Sequence, residues 1–151
     1  MERRAVVLSV KPAFAAALVD GSKKFEFRRV RPTLSQDDLI YVYSTAPVQA
    51  IVGSFVCGDI FEGRPGTLWR KFGRAANTPR AIFRNYLQGS PIAFAIEVRE
   101  PSAWPEPLSL TAIRRRFPDF HPPQSYMFLA STDPVARLIS RFSSNGASKR
   151  K

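Results

Sequence analysis

Between Asp38 and Asp59 the chain runs for twenty residues, Leu39 to Gly58, without a charged side chain. A stretch of that length either spans a bilayer as a helix or goes into the interior of a folded protein. Ser44-Thr45-Ala46-Pro47-Val48-Gln49 interrupts it in the middle, and β-branched and aromatic residues alternate on either side. The pattern predicts two strands, Leu39–Tyr43 and Ala50–Ile60, joined by a turn at Thr45-Ala46-Pro47. Gly53 and Gly58 predict bulges or a tight bend in the second strand, as in small barrels.

The flanking sequence supplies more strands and several helices. Ala5–Val10 is short and rich in β-formers, so it reads as a buried strand. Pro12 opens a helix and Asp20-Gly21 closes it, since glycine takes the left-handed conformation at a helix end without steric cost. Lys23–Val30 then alternates, with Phe25 and Phe27 opposite Lys24, Glu26 and Arg28, which predicts a half-exposed strand. Two helices follow within 64–90, then a strand at Ile92–Val98. A loop around Trp104 is bracketed by Pro101, Pro105 and Pro107, and a short helix covers Leu110–Phe117. Tyr126–Ala130 is a last strand, and Asp133 caps a final helix. The fold class is α+β, a small mixed β-barrel of about five to six strands with surrounding helices. Residues 1–142 form the domain, and 143–151, rich in Ser, Asn, Gly and basic residues, form a disordered basic tail.

The six-residue apolar run after Glu2-Arg3-Arg4 is cut by Lys11-Pro12 and is too short for a signal peptide. The expectation is a soluble, cytoplasmic protein with no membrane partner. One cysteine, Cys57, excludes an internal disulfide framework and a Cys-rich zinc site, and one histidine, His121, leaves no His-rich metal centre. Neither a metal nor a cofactor is expected. Cys57 reads as a buried small hydrophobe and His121 as a loop residue.

Charge is the other strong feature: the net is +11, and it is unevenly placed. Residues 21–32 carry net +4, residues 33–62 carry −4, and residues 63–90 carry six cations and no acid. These six are Arg64, Arg70, Lys71, Arg74, Arg80 and Arg84, interleaved with Trp69, Phe72, Phe83 and Tyr86. The aromatics, at helical spacing, read as core, and the cations as a face toward a polyanion. Stacking on a nucleic acid is the other use of such aromatics.

The most specific local pattern is Gly21-Ser22-Lys23-Lys24-Phe25-Glu26-Phe27-Arg28, or G-x-K-x-x-E-x-R. Glu26 and Arg28 leave one face of a strand, where the carboxylate can pair with the guanidinium or accept an exocyclic amine. Lys23, flanked by Lys24 and Arg28, is expected to have a depressed pKa suited to phosphate binding or general-base work. The pattern, with Leu8-Ser9-Val10-Lys11-Pro12 before it and the Ile40-Tyr41-Val42-Tyr43, Ile51-Val52-Gly53-Ser54-Phe55 and Pro122-Pro123-Gln124-Ser125-Tyr126 segments after it, resembles the ASCH domain family. The resemblance runs with gaps from about Val7 to Leu129. It implies a PUA-like barrel and an association with RNA binding, RNA processing or transcription coactivation.

On this reading the barrel cleft holds a nucleotide, RNA rather than DNA, and a protein partner in transcription or RNA processing is expected. Lys23, Glu26 and Arg28 are the central contacts, with Ser9, Lys11, Tyr43, Gln124 and Ser125 around them. Arg70, Lys71 and Arg74 hold the flanking backbone. The resemblance also implies two enzymatic alternatives in the same cleft, a ribonuclease and an amidohydrolase acting on an acetylated cytidine nucleoside. In the second, Lys23 would activate water or attack, with Glu26 and Glu106 as the carboxylates. The acetylcytidine hydrolases match this chain at Gly21, Lys23 and Arg28 but carry threonine where Glu26 stands, so a charged group occupies the place of an alcohol.

Overall fold

A computed structural model of the protein describes residues 3–149, with side chains described through Ser143. The elements in chain order are β1 (Ala5–Val10), α1 (Pro12–Asp20), β2 (Phe25–Arg28), β3 (Leu39–Ser44), β4 (Ala50–Gly63), α2 (Pro65–Phe72), α3 (Arg80–Leu87), β5 (Ala93–Ser109), α4 (Leu110–Arg116), β6 (Tyr126–Leu129) and α5 (Pro134–Lys149). The six strands form one mixed sheet in the order β2-β5-β4-β3-β1-β6. β1 lies parallel to β3, and every other pair is antiparallel. The uncharged stretch becomes the β3–β4 hairpin at the middle of this sheet. Among the described residues no helix is long and apolar enough to cross a membrane.

Apolar side chains of successive parity go to opposite faces of the central strands, and both faces are covered. Val6, Leu8 and Val10 of β1 pack with Ile40, Val42, Phe55 and Ile96 beneath Ala15, Leu18 and Val19 of α1. Val7, Tyr41, Tyr43 and Ile51 pack on the other face with Trp104, Ile113 of α4 and Ile139 of α5. A third cluster joins Phe27 of β2 and Ala93 and Ala95 of β5 to Leu68 of α2 and to Phe83 and Leu87 of α3. Burial on both faces is why β1 and β3 read as continuous apolar runs.

The chain termini of the helices follow the sequence signals. Lys11 is extended before Pro12, and Gly21 ends α1 with φ 88°. Asp133 accepts the Val135 amide at 2.9 Å at the start of α5. One expectation about these elements needs correction. The segment holding Pro101, Pro105 and Pro107 belongs to β5 rather than to a loop, because the β4–β5 register slips there and leaves those residues outside the regular ladder. The boundary expected at 143 falls inside α5, whose backbone stays helical to Lys149, while Arg150 and Lys151 lie outside the described residues.

The sheet is open, so the expected barrel closure is absent among the described residues. Its two edges, β2 and β6, nevertheless face each other, because the sheet curls around the α1 core. Side chains span the seam where backbone pairing stops. Arg28 Nη2 donates to the Ser9 carbonyl of β1 at 3.4 Å, and the Tyr126 hydroxyl meets Thr33 at 3.0 Å. Pro32 follows β2, and Pro122 and Pro123 precede β6.

Candidate functional site

The segment between α1 and β2 is pinned from several sides. Gly21 turns the chain out of α1, the Lys23 amide donates to Ala17, and the Lys24 amide donates to Ala75 in the connection between α2 and α3. This drives the Lys23 side chain inward, where it is 1% exposed. Its Nζ donates to the Ala76 carbonyl at 2.9 Å and to Thr78 Oγ1 at 2.6 Å, and lies 4.9 Å from the Phe14 ring centroid. Burial pushes the Lys23 pKa below its ordinary value. Glu26 opposes that shift and Arg28 reinforces it. Lys24, expected to contribute, is exposed and donates to the Gly21 carbonyl instead.

Glu26 is buried between the two cations. Its Oε2 accepts from Arg28 Nη2 at 3.0 Å, and its Oε1 lies 3.9 Å from Lys23 Nζ. β2 is therefore not half-exposed. Its aromatic face lies on α2 and α3, and its charged face is enclosed as well. The sequence alternation is right in parity, but it carries no information on how deeply the charged side is covered.

Two hollows adjoin this triad. A cavity of about 40 Å³ is bordered by Lys23, Glu26, Phe14, Thr78, Ile82 and Tyr86. A larger one, about 420 Å³, occupies the seam between the sheet edges. Leu8, Leu34 and Ile96 form its apolar lining, and Arg28, Arg29, Arg31, Ser125, Tyr126 and Tyr86 surround them. Tyr86, 42% exposed, borders both hollows. The triad converges, but only Arg28 reaches the hollow that is large enough for a nucleotide-sized ligand.

Arg28 is held from behind by Glu26 and Ser9, which orients the guanidinium for a phosphate or a base edge. Its Nε is buried with no partner among the described residues. The Tyr126 hydroxyl is held by the Thr33 side chain and amide, and these bonds draw its pKa below the usual tyrosine value. Burial opposes that shift, and the positive charge of Arg28 adds to it. The seam thus combines a fixed cation, a tyrosine hydroxyl whose pKa is drawn below its ordinary value, and two aromatic faces.

The other expected contacts divide. Ser125 lines the seam, and its carbonyl accepts the Ser9 amide. Ser9 is buried and its hydroxyl donates to the Pro123 carbonyl at 2.7 Å, so it fixes the 122–125 segment. Gln124 is exposed beside the seam, outside its lining, and Lys11 is exposed at the start of α1, where its carbonyl accepts the amides of Phe14 and Ala15. Tyr43 is 4% exposed and packs in the core on the far face of the sheet, where burial raises its pKa. Glu106 is exposed on β5, ten residues beyond Ile96, the cross-strand partner of Glu26. Arg70, Lys71 and Arg74 are exposed on α2 and just after it, and they line neither hollow beside the triad.

Sequence reading missed Tyr86, Tyr126, Thr78, Arg29 and Arg31 as site residues. Tyr86 sits at core spacing in α3 yet is turned outward. Thr33 and Tyr126 lie 93 positions apart, and no local pattern joins them.

The ASCH domain model matches residues 8–102. An ASCH domain-containing ribonuclease of Zymomonas mobilis is 34% identical over 139 residues, which is 92% of this chain and 93% of that protein. The crystal structure of ASCH from Zymomonas mobilis has a TM-score of 0.83 to this one at 32% identity, covering 92% of this chain and 96% of that one. A hypothetical protein from Leishmania major shares the fold at 12% identity, with a TM-score of 0.56 over 95% of this chain and 97% of that one. A family match that spans residues 8–102, the triad segment included, and a relative 34% identical over 92% of the chain give the lineage as well as the fold: this chain belongs to the ASCH domain family.

Proposed function

We propose that the protein binds single-stranded RNA, takes one nucleotide into the seam between the sheet edges, and cuts the strand there. The observation that carries this reading is the 420 Å³ hollow with Arg28 on its wall and Glu26 fixing that guanidinium from behind. The ribonuclease name of the Zymomonas relative supports RNA as the ligand and cleavage as the reaction. Arg28 stabilises charge on the phosphate, and Tyr86 and Tyr126 offer faces for a base. Tyr126 in its phenolate form takes the proton of the 2′-hydroxyl as that oxygen attacks phosphorus, and returns it to the 5′-oxygen as the P–O5′ bond breaks, leaving a 2′,3′-cyclic phosphate. A role in RNA processing or transcription, and a protein partner there, follow from the same reading.

Binding and cleavage of a labelled single-stranded RNA test it. Arg28→Ala is expected to weaken binding and to flatten the dependence of log Kd on log salt by about 0.7, the single-strand value per phosphate contact. A strand with 2′-deoxy sugars is expected to bind and stay intact. Binding without salt dependence, or full activity in Arg28→Ala, would sink the proposal.

A second reading rests on Lys23. Its buried, depressed-pKa amine beside Glu26 is the kind of group that attacks or activates water on an amide, as in removal of acetate from acetylcytidine. Only about 40 Å³ is open beside it, so a nucleoside reaches Lys23 only if α3 yields. Acetate release that disappears in Lys23→Ala would favour this reading over RNA cleavage.

A further inference from the structure

The six cations and absent acids of 63–90 take a definite shape in the fold. α2 and α3 form two walls of a cradle, and two hollows of about 760 and 720 Å³ lie along it. Trp69, Arg70 and Arg80 border both hollows, Arg84 the first, and Arg74 and Asn77 the second. Trp69 forms the aromatic floor, half-buried against Phe83 at 4.9 Å between ring centroids. Gly73 is the residue that lets it lie there, since a Cβ at that position would come 2.7 Å from the Trp69 ring. Arg70, Arg74, Arg80 and Arg84 are exposed and enter no salt bridge among the described residues. Four guanidinium groups therefore share one concavity with no carboxylate to neutralise them.

α3 separates this cradle from the site already described. One flank carries Arg80 and Arg84 toward the cradle, and the other carries Ile82 and Tyr86 toward the cavities beside Lys23 and Arg28. An α-helix with its side chains is about 10 Å across, a short step for an extended polynucleotide. The connection behind it is also shared. Thr78 borders the second cradle hollow and the small cavity, and its hydroxyl accepts from Lys23.

The geometry points to a second contact on the same RNA: the strand crosses α3, with one nucleotide in the seam and its neighbouring phosphates in the α2–α3 cradle, where a base stacks on Trp69. This rests on the RNA reading above and adds what that reading lacks, a subsite that makes affinity depend on strand length. A concave surface with an aromatic floor favours a polynucleotide over a lipid surface, which calls for a convex apolar face.

The test uses the full-length chain, a long 2′-O-methyl oligouridylate that cannot be cut through its 2′ oxygen, and uridine monophosphate. In the double variant Arg80→Gln/Arg84→Gln, oligonucleotide affinity at low salt should fall about tenfold or more. The log–log salt slope should flatten by about 1.4, for two single-strand phosphate contacts. Mononucleotide affinity should not change. Trp69 fluorescence should be quenched by the oligonucleotide in the parent and not in the variant. Arg70→Gln/Arg74→Gln is an independent pair expected to behave alike, and circular dichroism confirms that each variant is folded.

Unchanged oligonucleotide affinity and slope in both pairs would overturn the cradle while leaving the seam standing if Arg28→Ala still loses both ligands. The reverse outcome, cradle variants impaired and Arg28→Ala intact, would overturn the seam and leave the cradle. Loss of mononucleotide binding in the cradle variants, or anionic vesicles that displace the oligonucleotide in an Arg80- and Arg84-dependent way, would also overturn the second contact. A parent protein that binds neither RNA probe would overturn both.

Discussion

Lys23 has 1% of its surface in contact with solvent, and it keeps two oxygen partners, a carboxylate and an aromatic ring around its ammonium. Moving an ammonium out of water is costly unless such partners replace the lost hydration. Glu26 is the shared partner, so it neutralises two cations with one charge. The lowered pKa of Lys23 has a measurable consequence. Between that lowered value and the ordinary one near 10.5, the unfolded chain binds the proton and the folded chain does not, so Lys23 makes stability rise with pH in that interval. Cys57 acts in the opposite sense: its thiol is pushed from 9.0 up to about 11, mainly by burial and then by Asp38, so its contribution falls as pH rises through that range. The Lys23 effect is therefore expected as a difference. Chemical denaturation of the parent against Lys23→Met should show a gap that changes in the parent's favour with pH, by up to about 1.4 kcal/mol per pH unit. Parallel stability curves would mean that Lys23 is not held in this environment.

At the scale of elements, the site depends on how closely α1 lies on β4. Gly53 is where they touch: a Cβ there would come 2.2 Å from the Ser102 carbonyl oxygen and 2.9 Å from Val19 of α1. The bulge expected at this glycine is present, as a register shift between Ile51 and Gly53 in the β4–β5 ladder. Gly53→Ala therefore overpacks a contact with backbone on one side and a helix on the other. A loss of about 1–3 kcal/mol in thermal or urea unfolding is expected, as for other overpacked sites. No loss would mean that α1 can ride higher on the sheet. β2 shows a different lesson. Phe25 stacks on Phe72 at 4.4 Å and Phe27 meets Phe83 at 4.7 Å, as its alternation implies. The burial of Glu26 on the opposite side comes from the curl of the sheet, which the four residues of β2 do not encode.

For the molecule as a whole, the open seam and the closed core are complementary. The backbone ladder ends at β2 and β6, which leaves the seam free for a ligand, while α1, α4 and α5 seal the two faces of the central strands. Cys57 reports on that seal, because it is 0% exposed in the α1 core. A thiol reagent at neutral pH should label the folded protein roughly 10³-fold or more slowly than the unfolded chain, as expected if labelling waits for unfolding. Labelling at the rate of the denatured protein would place Cys57 outside a closed core.

The sequence by itself determined most of the elements and their apolar faces, because these rest on local rules: side-chain period, proline at helix starts, glycine past helix ends and the broken uncharged run; the run of β5 on to Ser109 was not among them. It also placed Lys23, Glu26 and Arg28 together, since they lie within six residues of one another. Only the tertiary structure decided that Tyr43 belongs to the core of the far face and that Glu106 stands away from the triad. It likewise brought Tyr86, Thr33 and Tyr126 to the seam. Those placements depend on how the sheet curls and which face each helix covers, a sum over many distant contacts that no short stretch of residues contains.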